Sequence, residues 1–118
     1  MPEDAFIRAL TKVRQIKISV FGRNSGLTIT LPVWFVHEDD TLWLLPVHGS
    51  KTQWYQNLLK NPTITIKVGS EHRTDKAQLL KSATTVRNVI RAFEDKYKPE
   101  IISRLYPGPL NVAVKITI

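Results

Sequence analysis

Apolar side chains recur at two spacings along this chain, and each change of spacing marks where one element gives way to the next. Phe6, Ile7 and Leu10 fall one turn apart, which predicts a short helix over 5–10, with Pro2 where a first-turn proline is tolerated. Ile16, Ile18 and Val20 then alternate with Gln15, Lys17 and Ser19, the period of a half-buried strand. Gly22-Arg23-Asn24-Ser25-Gly26 reads as a turn. From Leu27 to Val36 the alternation returns as a long strand whose second face becomes apolar toward its end. Pro32, which offers no backbone donor, marks an edge or a bulge there. Glu38-Asp39-Asp40 is an acidic turn, and Thr41 to Val47 comes back apolar on both faces, completing a hairpin.

The second half begins with Ser50 and Gln53 at capping-box spacing, which predicts a helix with Trp54, Tyr55, Leu58 and Leu59 on one face, stopped by Asn61-Pro62. Ile64, Ile66 and Val68 alternate as a strand closed by Gly69-Ser70, and the weaker pattern from Arg73 to Ala83 is read as a further strand. Val86, Val89, Ile90, Phe93 and Tyr97 repeat at helical spacing, with Thr84 or Thr85 as the cap and Pro99 as the breaker. Ile101, Ile102 and Leu105 allow another helical turn, and Val112, Val114, Ile116 and Ile118 alternate to the end as a strand that must pair. Six strands with a few interspersed helices predict an α+β fold, mainly β: an antiparallel domain or small barrel.

At 118 residues the chain has the size of one domain, expected to span 1–118, and 42% apolar residues suffice for a core. Its apolar runs fall far below the roughly 20 residues that cross a bilayer as a helix, and the acidic start Met1-Pro2-Glu3-Asp4 lacks the basic and apolar parts of a secretory signal, so cytoplasmic residence is expected. Seventeen Lys and Arg against ten Asp and Glu leave a net charge of +7. Between Lys51 and Arg91 eight basic residues face only Glu71 and Asp75, so this stretch is suited to an anionic partner.

Several chemistries have no support. Without cysteine there is no disulfide, thiolate nucleophile or thiolate metal site, and His37, His48 and His72 lack metal-ligand spacing. No serine sits in a nucleophile elbow, and Glu38, Asp39 and Asp40 are read as a solvated turn. Single-stranded nucleic acid calls for aromatics interleaved with basic residues, whereas here the aromatics lie mostly among aliphatics, which makes nucleic acid an unfavoured partner. What does suit an anion is the passage from a strand end through His48-Gly49-Ser50-Lys51 into a helix, where N–H groups, the helix dipole and Lys51 would attract a phosphate or carboxylate. A plain cap and a solvated lysine account for it equally well.

In order, Gly22-Arg23-Asn24-Ser25-Gly26, Leu31-Pro32-Val33-Trp34-Phe35-Val36, a hairpin, Trp54-Tyr55-Gln56-Asn57-Leu58 and Asn61-Pro62 resemble the deazaflavin-dependent nitroreductase-type family. That family lies within the flavin-reductase-like split-barrel superfamily that also holds the pyridoxamine phosphate oxidases. The resemblance runs from about Lys12 to Val68 and implies a six-stranded antiparallel split β-barrel with helices at its ends. It also implies a homodimer, a phosphorylated flavin-type cofactor, and hydride transfer to a small electron acceptor such as a quinone, an enone or a nitroaromatic compound. The cofactor implied is coenzyme F420, with FMN as the alternative because only His48 to Gln53 separate the hairpin from the Trp-Tyr helix.

Carried over, Arg23, Asn24 and Ser25 would approach the cofactor's anionic tail, and Val33 and Trp34 would line the ring pocket. Gly49, Ser50 and Lys51, with His48 beside them, would hold the phosphate, and Trp54 would close that side. Tyr97 and Tyr106 stand as candidates on the acceptor side. A non-catalytic binding protein, holding a cofactor or nucleic acid, is the contrasting alternative.

Overall fold

The structure, a computed structural model, describes residues 5–118. Pro2 and the expected acidic start lie outside the described residues. The elements follow in the order α1 (Ala5–Leu10), β1 (Gln15–Phe21), β2 (Thr28–Trp34), β3 (Val36–Glu38), β4 (Thr41–Leu44), a 3₁₀ turn (Gly49–Lys51), α2 (Gln53–Lys60), β5 (Thr63–Val68), β6 (Glu71–Lys76), β7 (Gln78–Leu80), α3 (Ala83–Tyr97), α4 (Pro99–Leu105) and β8 (Ala113–Thr117).

The six expected strands are eight here, in two antiparallel four-stranded sheets of order β2-β1-β5-β6 and β3-β4-β8-β7. The difference has a definite cause. β2 and β3 are one run of chain interrupted at Phe35, and β6 and β7 are one run interrupted at Ala77, so at both edges the chain leaves one sheet and enters the other. At Phe35 the backbone groups released from the ladder find side chains, as buried polar groups must. The Phe35 N–H donates to Tyr97 Oη at 3.3 Å, and its carbonyl accepts from Lys96 Nζ at 2.8 Å. At Ala77 the N–H donates to the Pro62 carbonyl at 2.8 Å.

Alternation along the strands separates two apolar cores. Ile16, Ile18 and Val20 of β1, Ile64, Ile66 and Val68 of β5, and Leu42, Leu44, Val114 and Ile116 of the second sheet pack together with Tyr55 and Leu58 of α2 and with Phe6 and Leu10 of α1. The opposite face of the second sheet supplies Val36 and Ala113 to a second core with Val86, Val89, Phe93 and Tyr97 of α3 and Ile102 of α4. This is why β4 reads as apolar on both faces. Pro32 lies on an edge strand, opposite Lys17, as its missing donor requires.

Local details depart from expectation at three points. The strand expected to reach Val47 ends at Leu44, because Pro46 and the positive φ of Gly49 (58°) turn the chain away. The cap of α3 is Ser82, whose Oγ accepts from the Thr85 N–H, not Thr84 or Thr85. Ser50 is not the cap of α2: the 3₁₀ turn takes up Gly49 to Lys51, and the helix begins at Gln53 behind Thr52. Pro99 ends α3 as expected and opens α4 at its first position, where a missing N–H costs nothing.

Candidate functional site

Residues from two separate stretches of the sequence wall one cavity. Val33 and Trp34 come from the end of edge strand β2, and Trp54 comes from the first turn of α2. With Leu45, Val47, Leu105 and Tyr106 they line an apolar space of about 160 Å³. Its aromatic wall is held from behind. The Trp34 ring stacks on Tyr97 at 4.3 Å between centroids and 10° between planes, and Tyr106 lies 6.1 Å away. Phe93 of α3 meets Tyr106 edge-on at 6.0 Å. Offset and edge-to-face contacts of this kind fix ring orientation beyond what burial alone achieves.

Tyr97 is itself pinned. Its Oη lies 2.6 Å from the Arg14 carbonyl and 3.0 Å from that of Phe35, so its proton is shared between the residue that precedes β1 and the break between β2 and β3. Burial pushes the Tyr97 hydroxyl above the usual phenol range, and burial, with Tyr97 beside it, raises that of Tyr106 further. Both stay protonated across the ordinary pH range. Lys96, half-buried with its Nζ 3.5 Å from the Phe35 ring centroid, is lowered to about 8 by desolvation and by the Arg14 charge.

The second group of expected site residues is gathered on the other side of α2. Arg23, Asn24 and Ser25 line a groove of about 420 Å³ with Phe21, Lys60 and Asn61. Arg23 is fixed in it, donating from Nη1 to Asn57 Oδ1 and from Nη2 to Gln53 Oε1, both at 2.8 Å, while its backbone N–H also donates to Asn57. These acceptors are neutral, so the guanidinium keeps its full positive field. Lys60 Nζ, donating to the Arg23 carbonyl at 2.9 Å, adds a second charge.

The third group, His48 to Lys51, lines neither space but forms the 3₁₀ turn that leads into α2. Gly49 is sterically required: a Cβ there would stand 2.0 Å from the Pro109 carbonyl oxygen, and its φ is positive. The expected cradle of free N–H groups is not found in this turn. Gly49 N donates to Pro46, Ser50 N to Asn111 Oδ1, Lys51 N to His48 and Thr52 N to Gly49. Ser50 Oγ accepts from Asn111 Nδ2, and Gln53, the other half of the expected capping box, holds Arg23. Gln56 Nε2 closes the turn onto the Ser50 carbonyl. The Thr52 hydroxyl accepts from the His48 N–H instead of capping the helix. The donors left to an anion are therefore the first N–H groups of α2, which have no intrahelical partners, and the exposed Lys51 amine. The His48 side chain is exposed.

Leu45, Val47 and Leu105 had no signal of their own in the sequence, since each reads as ordinary core or helix. Tyr106 had a weak one, an aromatic placed just before a Pro-Gly-Pro turn. Among the described residues no His or carboxylate group is placed to hold a metal ion, and no helix is long and apolar enough to cross a membrane.

A family model for F420H(2)-dependent quinone reductases matches residues 4–99. The chain belongs to this family. Its members are oxidoreductases, and F420 is their cofactor, as the motifs around Arg23, Val33-Trp34 and Trp54 had implied. Solved structures agree on the fold. An F420-H2 dependent reductase, FDR-A, is 18% identical over 87% of this chain and 93% of its own, with a TM-score of 0.68. A chain solved as a domain-swapped dimer is 16% identical over 94% of this chain and 96% of its own, with a TM-score of 0.70. HutZ, the heme storage protein from Vibrio cholerae, is 15% identical over 99% and 90%, with a TM-score of 0.73. At these identities the likeness is one of fold, that of the split-barrel proteins. No curated protein matches the chain.

Proposed function

We propose that this chain binds F420 with the deazaflavin ring against Val33, Trp34 and Trp54, the phosphate beside Lys51 and the first turn of α2, and the anionic tail along the groove of Arg23, Asn24 and Ser25. The acceptor is a small electrophile, a quinone foremost. The observation that carries this reading is that α2 has Trp54 in the wall of the apolar cavity and, on the same first turn, Gln53 holding Arg23 in the basic groove. One helix thus links a place for a flat ring to a place for negative charge.

When bound, the reduced cofactor supplies the hydride. The chain's own residues do the rest. Val33, Leu45, Val47 and Trp54 exclude water from the reacting face, and Trp34, backed by Tyr97, sets the ring's plane. Tyr106, in the same wall and kept protonated by burial, offers its hydroxyl as a hydrogen-bond donor to the acceptor's oxygen. The cavity is smaller than the about 300 Å³ at which ligand pockets begin, so it covers one end of a tricyclic ring and leaves the remainder toward the exposed Leu105. Ser50, Gly49 and His48 set the turn that aims Lys51. A homodimer remains part of this reading, supported by the likeness to a chain solved as a domain-swapped dimer.

Replacing Lys51 by Ala tests the phosphate assignment. The F420 dissociation constant is expected to rise about tenfold or more, the worth of one charge-assisted hydrogen bond, with the fold intact by circular dichroism. An unchanged constant removes Lys51 from the site. Preferential binding of FMN would move the protein to the flavin branch, and tight binding of nucleic acid with a steep salt response would support the non-catalytic alternative.

A further inference from the structure

Besides the first N–H groups of α2 and the Lys51 amine, the turn that leads into α2 holds one more hydrogen-bond donor, and a residue far away in sequence decides whether it is free. Asn111, which shortly precedes β8, meets Ser50 with both ends of its amide. Ser50 N donates to Asn111 Oδ1 at 2.9 Å, and Asn111 Nδ2 donates to Ser50 Oγ at 3.2 Å. A backbone N–H can only donate, so this pairing fixes which way the amide faces. Its NH₂ end must then lie against the hydroxyl, and Ser50 Oγ must accept. The Ser50 hydroxyl proton is left over, and among the described residues no acceptor takes it. The Ser50 carbonyl is engaged separately, by Gln56 Nε2.

The clamp is built from outside the turn. Gly108 N donates to the Val47 carbonyl at 3.2 Å, and the Pro109 carbonyl and the Asn111 amide fill the space that a side chain at Gly49 would need. The stretch that leaves Tyr106 in the cavity wall thus runs back along the turn and brings Asn111 onto Ser50. Beyond Ser50, Asn111 lines a hollow of about 410 Å³ whose walls include Lys81 and Arg87. An aspartate in its place would accept the Ser50 N–H equally well. It would also accept the hydroxyl proton, and it would set a negative charge close to Lys51. The neutral amide holds the turn and frees the donor at once.

We propose that Asn111 is a positioning residue for phosphate recognition: by donating to Ser50 Oγ it releases the hydroxyl proton to the phosphate, so that Ser50 and Lys51 bind it together. The proposal rests on the F420 reading above and adds to that site a residue from the far end of the chain.

Titration with F420, in parallel with thermal unfolding, of the parent chain, Asn111→Asp, Asn111→Ala and Ser50→Ala separates this role from a merely structural one. A structural clamp ranks the Asn111 variants alike in both measurements, with Ala the worse, because Asp keeps an acceptor for Ser50 N. The proposal predicts opposite orders. Asn111→Asp should melt at or above Asn111→Ala yet bind F420 more weakly than it does, at least about tenfold below the parent chain. Ser50→Ala, which keeps the backbone bond, should weaken binding about threefold or more. The ratio of the Asn111→Asp and parent constants should narrow from about pH 7 to about pH 4, as the new carboxyl takes up a proton and becomes a donor. His48, Lys51, Lys81 and Arg87, the titratable or charged side chains around it, are common to both chains, so the ratio isolates the new carboxyl. Asn111→Asp binding as well as the parent, or better than Asn111→Ala, overturns the proposal. So does a ratio that stays constant with pH, or parent affinity in Ser50→Ala. A parent chain that fails to bind F420 overturns the underlying reading, and this proposal with it.

Discussion

Tyr97 shows how one side chain can serve fold and site together. It is fully buried, stacks on Trp34, and bonds the backbone at Arg14 and Phe35. Tyr97→Phe keeps the stack and removes the bonds, leaving buried backbone groups short of a partner. A loss of about 1 to 3 kcal/mol in denaturant unfolding is expected, with F420 affinity little changed. An unchanged midpoint would show that the break at Phe35 is held by packing alone. Lys96, which bonds the same carbonyl, makes stability depend on pH. Its folded pKa of about 8 lies below the usual 10.5, so between those values the unfolded chain binds more protons and stability rises with pH. Tyr55, Tyr97 and Tyr106, raised by burial, act oppositely once their unfolded counterparts ionise above about 10. The thermal midpoint is therefore expected to climb above pH 8, peak near pH 10 and fall beyond it. Lys96→Met should abolish the climb, and a climb retained in that variant would assign it to other groups.

At the scale of elements, α2 is the organising piece. Its buried Asn57 accepts two bonds from Arg23, and its Gln53 accepts a third, so the turn between β1 and β2 is tied to the helix that bears Trp54. Arg23→Ala loses the guanidinium bonds to Asn57 and Gln53 but keeps the backbone N–H on Asn57, so it should cost about 1 to 2 kcal/mol in stability, and Arg23→Lys should recover little because an ammonium cannot span both acceptors. Matching midpoints for the lysine variant and the parent chain would refute that geometry. Much of this was legible in the sequence: alternation located five of the six strand runs, the weaker pattern from Arg73 to Ala83 fell on the sixth, and the order of small motifs pointed to Val33, Trp34 and Trp54, which do share a cavity. What period-two patterning cannot show is where a strand changes sheets, since Phe35 sits inside an apolar run and Ala77, between Lys76 and Gln78, keeps the alternation with Leu79. The capping-box spacing at Ser50 misled for a related reason. Asn111, sixty-one residues away, takes both the Ser50 N–H and its hydroxyl, a partner no local pattern reveals.

Across the whole molecule, charge and apolar surface are sorted by face. The apolar cavity and the basic groove both draw on α2, while Lys17 and Lys67 pair on the outward face of the first sheet. Net charge of +7 gives anionic ligands a long-range attraction that salt weakens, so F420 affinity is expected to fall moderately between low and high ionic strength. The central claim is that these surfaces hold F420. It is tested most directly by titrating the purified chain with oxidised F420 and, in parallel, with FMN, following cofactor fluorescence. Saturable binding of F420 at micromolar concentrations or tighter, with FMN at least about tenfold weaker and with the F420 signal lost in Trp54→Ala, is the expected result. Failure to bind F420, or tighter binding of FMN, would contradict the account.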